Sequence, residues 1–322
     1  MKAVIINEFG TSDVLKYVEC PKPTISAGEV LIRTTYTSVN FADIKNRTGN
    51  KAKANFPMIL GLDVAGVVEA VFDECSTFKV GDIVIAFPKN GAYAEYVVAK
   101  EQLVFKVPND VSLEKVAAVP TVLFLSYLLT HQIAPISTND SVLIHAATGG
   151  VGTMLIQMAK KLGAKNIIGT VSDRKKAPIA FELGAHHVLT YDDFSAQVNE
   201  YTEGHGVNII FDSIAGNITE ESLNCLALYG TLVQFGNSGD KAGNIKTSDL
   251  HSSCRNVKGF SLGTTRASKP EMLHQVAQEM FTLLKDESFQ VPIAEIFALE
   301  DMQKAHDLME SRQHQGKILI KI

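Results

Sequence analysis

The chain has 322 residues, 46% of them hydrophobic and 20% charged, a length and balance that suit two soluble domains and exclude a disordered or collagen-like polypeptide. Lys and Arg number 30 against 35 Asp and Glu, a net charge of −5 with no long basic block, which argues against a general nucleic-acid binder. The four cysteines, Cys20, Cys75, Cys225 and Cys254, lack the close pairing of a structural zinc site or a secreted disulfide framework, so a reducing, cytoplasmic setting is expected.

The N-terminal apolar stretch ends at Asn7 and Glu8, too short for a signal peptide, and reads as a strand. The longest apolar run, Val116 to Leu129, is broken by Pro120, Thr121 and Ser126 and falls short of the roughly 18 to 20 residues a membrane span needs. Up to about residue 119, short β-branched runs separated by turn residues (Ala3 to Ile6, Val30 to Thr35, Val64 to Phe72, Ile83 to Ala86, Tyr93 to Val98) predict a partly open antiparallel barrel. From Ser141 the rhythm alternates. Strands Ser141 to His145, Asn166 to Val171, Val188 to Thr190, Val207 to Asp212 and Leu232 to Phe235 are interleaved with helices Val151 to Leu162, Lys175 to Leu183, Phe194 to Tyr201 and Thr219 to Leu228. Gly163, Gly184 and Gly230 fall where helices should stop. That alternation predicts an α/β domain with a doubly wound parallel sheet. Helices Glu271 to Leu284 and Leu299 to Ser311 and a strand Lys317 to Ile322 follow, a tail expected to return to the first domain.

The segment His145 to Gly152, HAATGGVG, sits between a predicted strand and a predicted helix, the context of a dinucleotide phosphate loop. Ala147 stands at the first glycine of the G-x-G-x-x-G template, Gly149 permits close approach of a pyrophosphate, and Gly152 lets helix and strand pack. Thr148, Gly149, Gly150 and Val151 are therefore candidate cofactor contacts at a helix N-terminus. The second strand ends in VSDRKK: Ser172, Arg174 and Lys176 suit the 2′-phosphate of NADP(H), whereas Asp173 in the same turn could face the ribose of NAD.

These motifs, with AGEVLIRT (Ala27 to Thr34), SVNFADI (Ser38 to Ile44), PMILGLDVAGVV (Pro57 to Val68), FKVGDIV (Phe78 to Val84), GAYAEYVV (Gly91 to Val98) and FGNSG (Phe235 to Gly239), make the chain resemble the zinc-independent quinone oxidoreductase branch of the medium-chain dehydrogenases/reductases. The resemblance implies a GroES-like partly open β-barrel domain at 1–119 and 262–322, a Rossmann NADP-binding domain at 120–261, and catalysis in the cleft between them. Zinc-dependent relatives carry Cys where this chain has Asn40, and Gly-His-Glu where it has Gly61, Leu62 and Asp63, so no metal is expected. The nine histidines are scattered and read as solvated or capping groups.

Carried over by the same resemblance, Asn40 lies near nicotinamide and acceptor and Asp43 supports its loop, while Lys45 stands where close relatives often have a tyrosine. Phe235, Gly236, Asn237 and Ser238 enclose the nicotinamide end, Tyr191 packs by the adenosine phosphate, and Lys317 is a further cofactor contact. Thr121, Val122 and Leu123 are expected to narrow the cleft, and Val257 to Leu262 to pair across a two-fold axis in a homodimer. An activated acceptor needs no Lewis acid, only alignment and a hydrogen bond to the developing oxyanion. The expected activity is NADPH-dependent reduction of a quinone or an α,β-unsaturated carbonyl. An enoyl-thioester reductase and a non-catalytic NADPH-binding sensor or RNA-associating protein are the alternatives.

Overall fold

The structure is a computed structural model and describes residues 1–50, 55–72, 76–89, 91–239 and 241–322; Cys75 lies outside the described residues. In chain order the N-terminal part contains β1 (Lys2–Ile6), β2 (Lys16–Glu19), β3 (Glu29–Val39), α1 (Phe41–Arg47), β4 (Met58–Ile59), β5 (Val64–Val71), β6 (Ile83–Ala86), β7 (Tyr96–Lys100), β8 (Val104–Lys106), α2 (Leu113–Ala117) and α3 (Pro120–Leu128). The middle part contains β9 (Ser141–Ile144), α4 (Gly150–Lys161), β10 (Asn166–Val171), α5 (Ala177–Leu183), β11 (His187–Thr190), α6 (Phe194–Tyr201), β12 (Val207–Asp212), α7 (Asn217–Ser222), β13 (Leu226–Gln234), α8 (Thr247–His251) and β14 (Asn256–Gly259). The chain ends with α9 (Leu262–Ser268), α10 (Glu271–Lys285), β15 (Ile293–Ala298), α11 (Met302–Ser311) and β16 (Lys317–Lys321). These elements fall into two compact units, one of Met1–Phe124 with Thr265–Ile322 and a second of Leu125–Thr264.

In the first unit, strands are ordered β15-β16-β3-β5-β6-β8 among the described residues, with β7 also on β3, and β2-β1-β4 form a smaller sheet. Pairings are antiparallel except β15 on β16. β3 is long enough to serve β5, β7 and β16 because it bends at two register shifts, between Leu31 and Ile32 and between Thr34 and Tyr36. The pairing of β16 with Thr37 to Val39 brings the C-terminus back to this barrel and sets Lys317 beside the start of α1.

The second unit is a parallel sheet ordered β11-β10-β9-β12-β13-β14, the arrangement of a dinucleotide fold. β9 is buried along its whole length, as a strand covered on both faces must be. α5 stops at Gly184, whose φ of 118° is a left-handed cap that costs glycine little.

Several expectations are corrected. Instead of a helix to Leu228, α7 ends at Ser222, a 3-10 turn covers Leu223–Cys225, and Leu226 opens β13, which places Gly230 inside a strand. The cause is at Tyr229 (φ 61°), where the chain bulges and the apolar run only imitates a helical spacing. The strand expected from Tyr93 begins at Tyr96, because Tyr93 itself is buried in the preceding turn. The edge strand expected to reach Leu262 stops at Gly259, and the buried Leu262 starts α9. Val122 and Leu123 are buried, and Thr121 is partly exposed. Phe124 packs on Phe87 and Phe105 with ring centroids 5.5 and 5.0 Å away, which ties the first half of α3 to the first unit.

Candidate active site

In the second unit the glycine-rich loop between β9 and α4 is held by a buried histidine. His145 is 1% exposed; its Nδ1 is 2.8 Å from Thr170 Oγ1 and its Nε2 2.9 Å from Ser222 Oγ. Ser222 gives its own proton to Ile218 O, so His145 donates from Nε2 and accepts at Nδ1, and burial pushes its pKa down to about 4 against the pull of Asp212. A neutral ring thus pins the loop to β10 and α7. This corrects the reading of the histidines as solvated, which fails again at His306, fully buried in the first unit.

Above that ring, Ala147 donates its N–H to Thr170 O, and a Cβ on Gly152 would lie 2.3 Å from Ala146 O, so only glycine lets α4 start so close to the loop. Thr148, Gly149, Gly150 and Val151 bracket the first turn of α4, whose backbone N–H groups have no intrahelical acceptor. Tyr191 joins them by accepting the Ala146 N–H at its hydroxyl, 3.0 Å away. At the tip of β10, the Asp173 carboxylate caps the Lys175 N–H at 2.9 Å, and the turn presents Ser172 and Arg174 to solvent with Lys176 bonded to the Ser172 hydroxyl. One oxygen of the acidic group that would favour a ribose 2′-OH is thus engaged by the backbone. After β13, Phe235, Gly236, Asn237 and Ser238 fold back on β12's end, Ser238 donating to Ser213 O at 3.0 Å; a Cβ on Gly236 would be 2.9 Å from that oxygen.

The first unit gathers Asn40, Asp43 and Lys317 into one buried polar centre with Asp63. Lys317 Nζ donates to Asn40 Oδ1 at 2.7 Å and to Val39 O at 3.1 Å. Asn40 Nδ2 donates to Ser38 Oγ at 3.2 Å and to Asp63 Oδ2 at 3.4 Å, and the Asn40 N–H reaches Asp43 Oδ2 at 2.8 Å. Asp63 also accepts the Ser38 hydroxyl at 2.6 Å and the Thr121 N–H at 3.1 Å. Burial pushes the Asp43 carboxyl up to about 7, helped by Asp63 and opposed by the Asn40 N–H and Lys317; the same burial lowers Lys317, against the two aspartates.

Lys45 stands apart from that centre, on α1 with its ammonium 5.7 Å from the Phe41 ring, over which Arg312 also lies at 5.8 Å. Sequence reasoning missed Arg266. Its guanidinium stacks 4.8 Å from the Phe87 ring and donates to Leu62 O at 3.2 Å, beside a cavity of about 270 Å³ lined among the described residues by Asn46, Met58, Leu60 and Lys89. Burial lowers its pKa and Asp63 and Asp43 oppose the shift. The signal was a lone arginine in an otherwise weakly charged stretch, Phe260 to Ser268, too slight to single out.

Two family models match: "Alcohol dehydrogenase GroES-like domain" over residues 26–109 and "Zinc-binding dehydrogenase" over residues 150–279. The chain is 34% identical over 323 residues to a probable quinone oxidoreductase of Schizosaccharomyces pombe, covering 98% of this chain and 96% of that protein. It is 32% identical over 336 residues to the 2-haloacrylate reductase of a Burkholderia species, covering 99% and 98%. The chain belongs to the quinone oxidoreductase branch of the medium-chain dehydrogenases/reductases. The crystal structure of Escherichia coli quinone oxidoreductase complexed with NADPH superposes with a TM-score of 0.94 at 30% identity, covering 100% of both chains.

The zinc in one family model's description does not fit this oxidoreductase's residues. Asn40 offers an amide whose oxygen already receives an ammonium at 2.7 Å, and the centre's other donors are carboxylates and hydroxyls, not thiolate or imidazole. Among the described residues no group of three or more His, Cys, Asp or Glu side chains could hold a metal ion, and no helix is long and apolar enough to cross a membrane.

Proposed function

We propose that this protein is an NADPH-dependent, metal-independent reductase that passes a hydride to a quinone or an α,β-unsaturated carbonyl in the cleft between its two domains. The observation that carries the reading is Lys317 bonded to Asn40 in the buried Asn40–Asp63 cluster, a donor set of amide, carboxylate and ammonium in place of the Cys that zinc-dependent relatives carry at Asn40. NADP(H) is the cofactor. The N–H groups at the start of α4 receive its pyrophosphate, and Arg174 and Lys176 receive its 2′-phosphate, while one Asp173 oxygen caps the Lys175 N–H. When bound it supplies the hydride, and solvent supplies the proton that completes reduction of the acceptor.

Two groups of the first domain keep unused hydrogen-bonding capacity. Among the described residues Arg266 makes one hydrogen bond, and the Thr121 hydroxyl is buried without any. An acceptor oxygen that gains negative charge as hydride arrives is stabilised by such preorganised donors. Acceptor identity at the level of quinones and conjugated carbonyls is also supported by the relatives, named as quinone oxidoreductase and 2-haloacrylate reductase. A homodimer paired through β14 belongs to the same proposal: the strand's outer side has no partner among the described residues, and it is tested by sedimentation equilibrium.

The decisive assay mixes protein and NADPH with p-benzoquinones, enones and 2-haloacrylates and follows absorbance at the nicotinamide band. Turnover of at least one class is expected. NADPH oxidation no faster than the protein-free background with every acceptor refutes the proposal.

A further inference from the structure

The cavity of about 270 Å³ in the first unit carries more cationic hydrogen-bonding capacity than the reduction described above uses. Among the described residues its apolar side is formed by Met58, Leu60 and Pro88 and its polar side by Asn46, Lys89 and Arg266. Lys89 is already neutralised, because its ammonium donates to Glu29 Oε1 at 2.9 Å and Glu29 is buried beside it. Arg266 is not. Asp63 and Asp43 favour its charge from a distance, but among the described residues no carboxylate pairs with it and its one hydrogen bond runs to Leu62 O at 3.2 Å. A guanidinium has five N–H groups, so four remain. Two anchors fix its plane, the Leu62 oxygen and the Phe87 ring at 4.8 Å, and Phe87 is itself 1% exposed and packed on Phe105 and Phe124. A planar cation held in this way is preorganised for a group with two parallel oxygens.

We propose that Arg266 is a specificity-determining residue that grips a carboxylate on the acceptor, so that the substrates are small conjugated carbonyl compounds carrying one. The proposal deepens the reductase reading and rests on it for turnover, though not for binding. One uncommitted cation matches the single charge of a carboxylate better than the double charge of a phosphate, and the two oxygens of a carboxylate fit the guanidinium fork. The cavity lies just below the roughly 300–1,000 Å³ of pockets for drug-sized ligands, which limits the occupant to a short chain or a single ring. Four N–H groups suffice for a two-pronged hold on the carboxylate and a single bond to the acceptor oxygen that gains charge. Reduction of 4-oxo-2-pentenoate, the simplest such acceptor, forms a C–H bond at the carbon β to the ketone and moves the C=C electron pair towards the ketone oxygen. A solvent proton on the α carbon completes 4-oxopentanoate, NADPH is oxidised to NADP⁺, and the carboxylate is unchanged.

The test compares kcat/KM for 4-oxo-2-pentenoate and for its methyl ester, with NADPH, in the unaltered protein and in Arg266→Gln. The ester keeps the conjugated ketone and removes the charge, so the ratio of the two values isolates the carboxylate. The unaltered protein is expected to favour the acid, and Arg266→Gln to cut that preference about tenfold or more. If Arg266→Gln does not fold, Arg266→Lys takes its place; it keeps the charge and loses the fork, and the preference falls there too. A second readout needs no turnover: ligand-observed NMR titration of 4-oxopentanoate, which accepts no hydride, into the protein with NADPH present, where the same variants raise Kd about tenfold or more. Equal kcat/KM for acid and ester in the unaltered protein, a preference that survives in the variant that folds, or an unchanged Kd overturns the proposal, as does a preference abolished by Lys89→Gln but not by the Arg266 variants. If neither acid nor ester is reduced and other enones and quinones are inert as well, the reductase reading fails, and the titration of 4-oxopentanoate still judges the carboxylate site.

Discussion

Replacing Lys317 by Met keeps most of the side chain's bulk and removes only its charge and donors. The ammonium is 3% exposed and gives two hydrogen bonds, to Asn40 Oδ1 and Val39 O, so the variant buries two acceptors without donors and leaves Asp43 and Asp63 without their nearest cation. An orphaned buried acceptor costs about 1–3 kcal/mol, and removing one charge from a buried ionic group about 3–5 kcal/mol, so a loss of about 3 kcal/mol is expected. The loss depends on pH in a stated direction. Asp43 is raised from 3.8 to about 7, so over that interval the folded state binds more protons than the unfolded state and stability falls as pH rises. Without Lys317 the charge that offsets the effect of Asp63 on Asp43 is gone, the proton uptake of Asp43 extends to higher pH, and the deficit is larger at pH 8 than at pH 5.5. Urea unfolding at both pH values measures it. A deficit under about 1 kcal/mol, or one larger at pH 5.5, refutes the assignment of Lys317 as the charge that holds this centre.

Two further substitutions test the nucleotide side. Gly152→Ala places a methyl 2.3 Å from Ala146 O and 2.8 Å from the Ala147 backbone, so loop and α4 must part, and NADPH affinity by fluorescence titration should fall at least about tenfold; an unchanged Kd means the loop is not the phosphate site. Arg174→Ala with Lys176→Ala removes two charge-assisted bonds worth about 1.5–3 kcal/mol each, so the preference for NADPH over NADH should drop by about a hundredfold or more while NADH binding stays level. A preference that survives both changes places the 2′-phosphate elsewhere.

The doubly wound half was legible because its strands are buried on both faces and read as short continuous apolar runs between amphipathic helices, as in Val207–Asp212 and Phe194–Tyr201, where expected and observed limits coincide. The glycine-rich turn between β9 and α4 was legible for a local reason too: its strand, glycines and helix are adjacent in sequence. β15, which no expectation included, is exposed at most of its positions and lies on a sheet edge, so its residues carry little alternation to detect. The Arg47–His306 contact joins residues 259 apart, and Lys317–Asn40 joins residues 277 apart. Neither pairing leaves a trace in the spacing of one sequence.

Asn40 illustrates the difference between naming a residue and knowing its bonds. Family resemblance singles out its position, and from the sequence its amide is free to meet an acceptor. In the structure Oδ1 takes the Lys317 proton and Nδ2 turns to Ser38 and Asp63, so the protein's own groups engage both ends of the amide. An amide oxygen has two lone pairs and the NH₂ two protons, which leaves Asn40 little capacity for a ligand while this geometry holds. Asp43 adds to this by holding the Asn40 N–H, so the start of α1 is fixed by the same buried centre. Under the proposed reductase reading, the groups with capacity to spare among the described residues, Arg266 and the Thr121 hydroxyl, are the ones offered to a reduced acceptor oxygen.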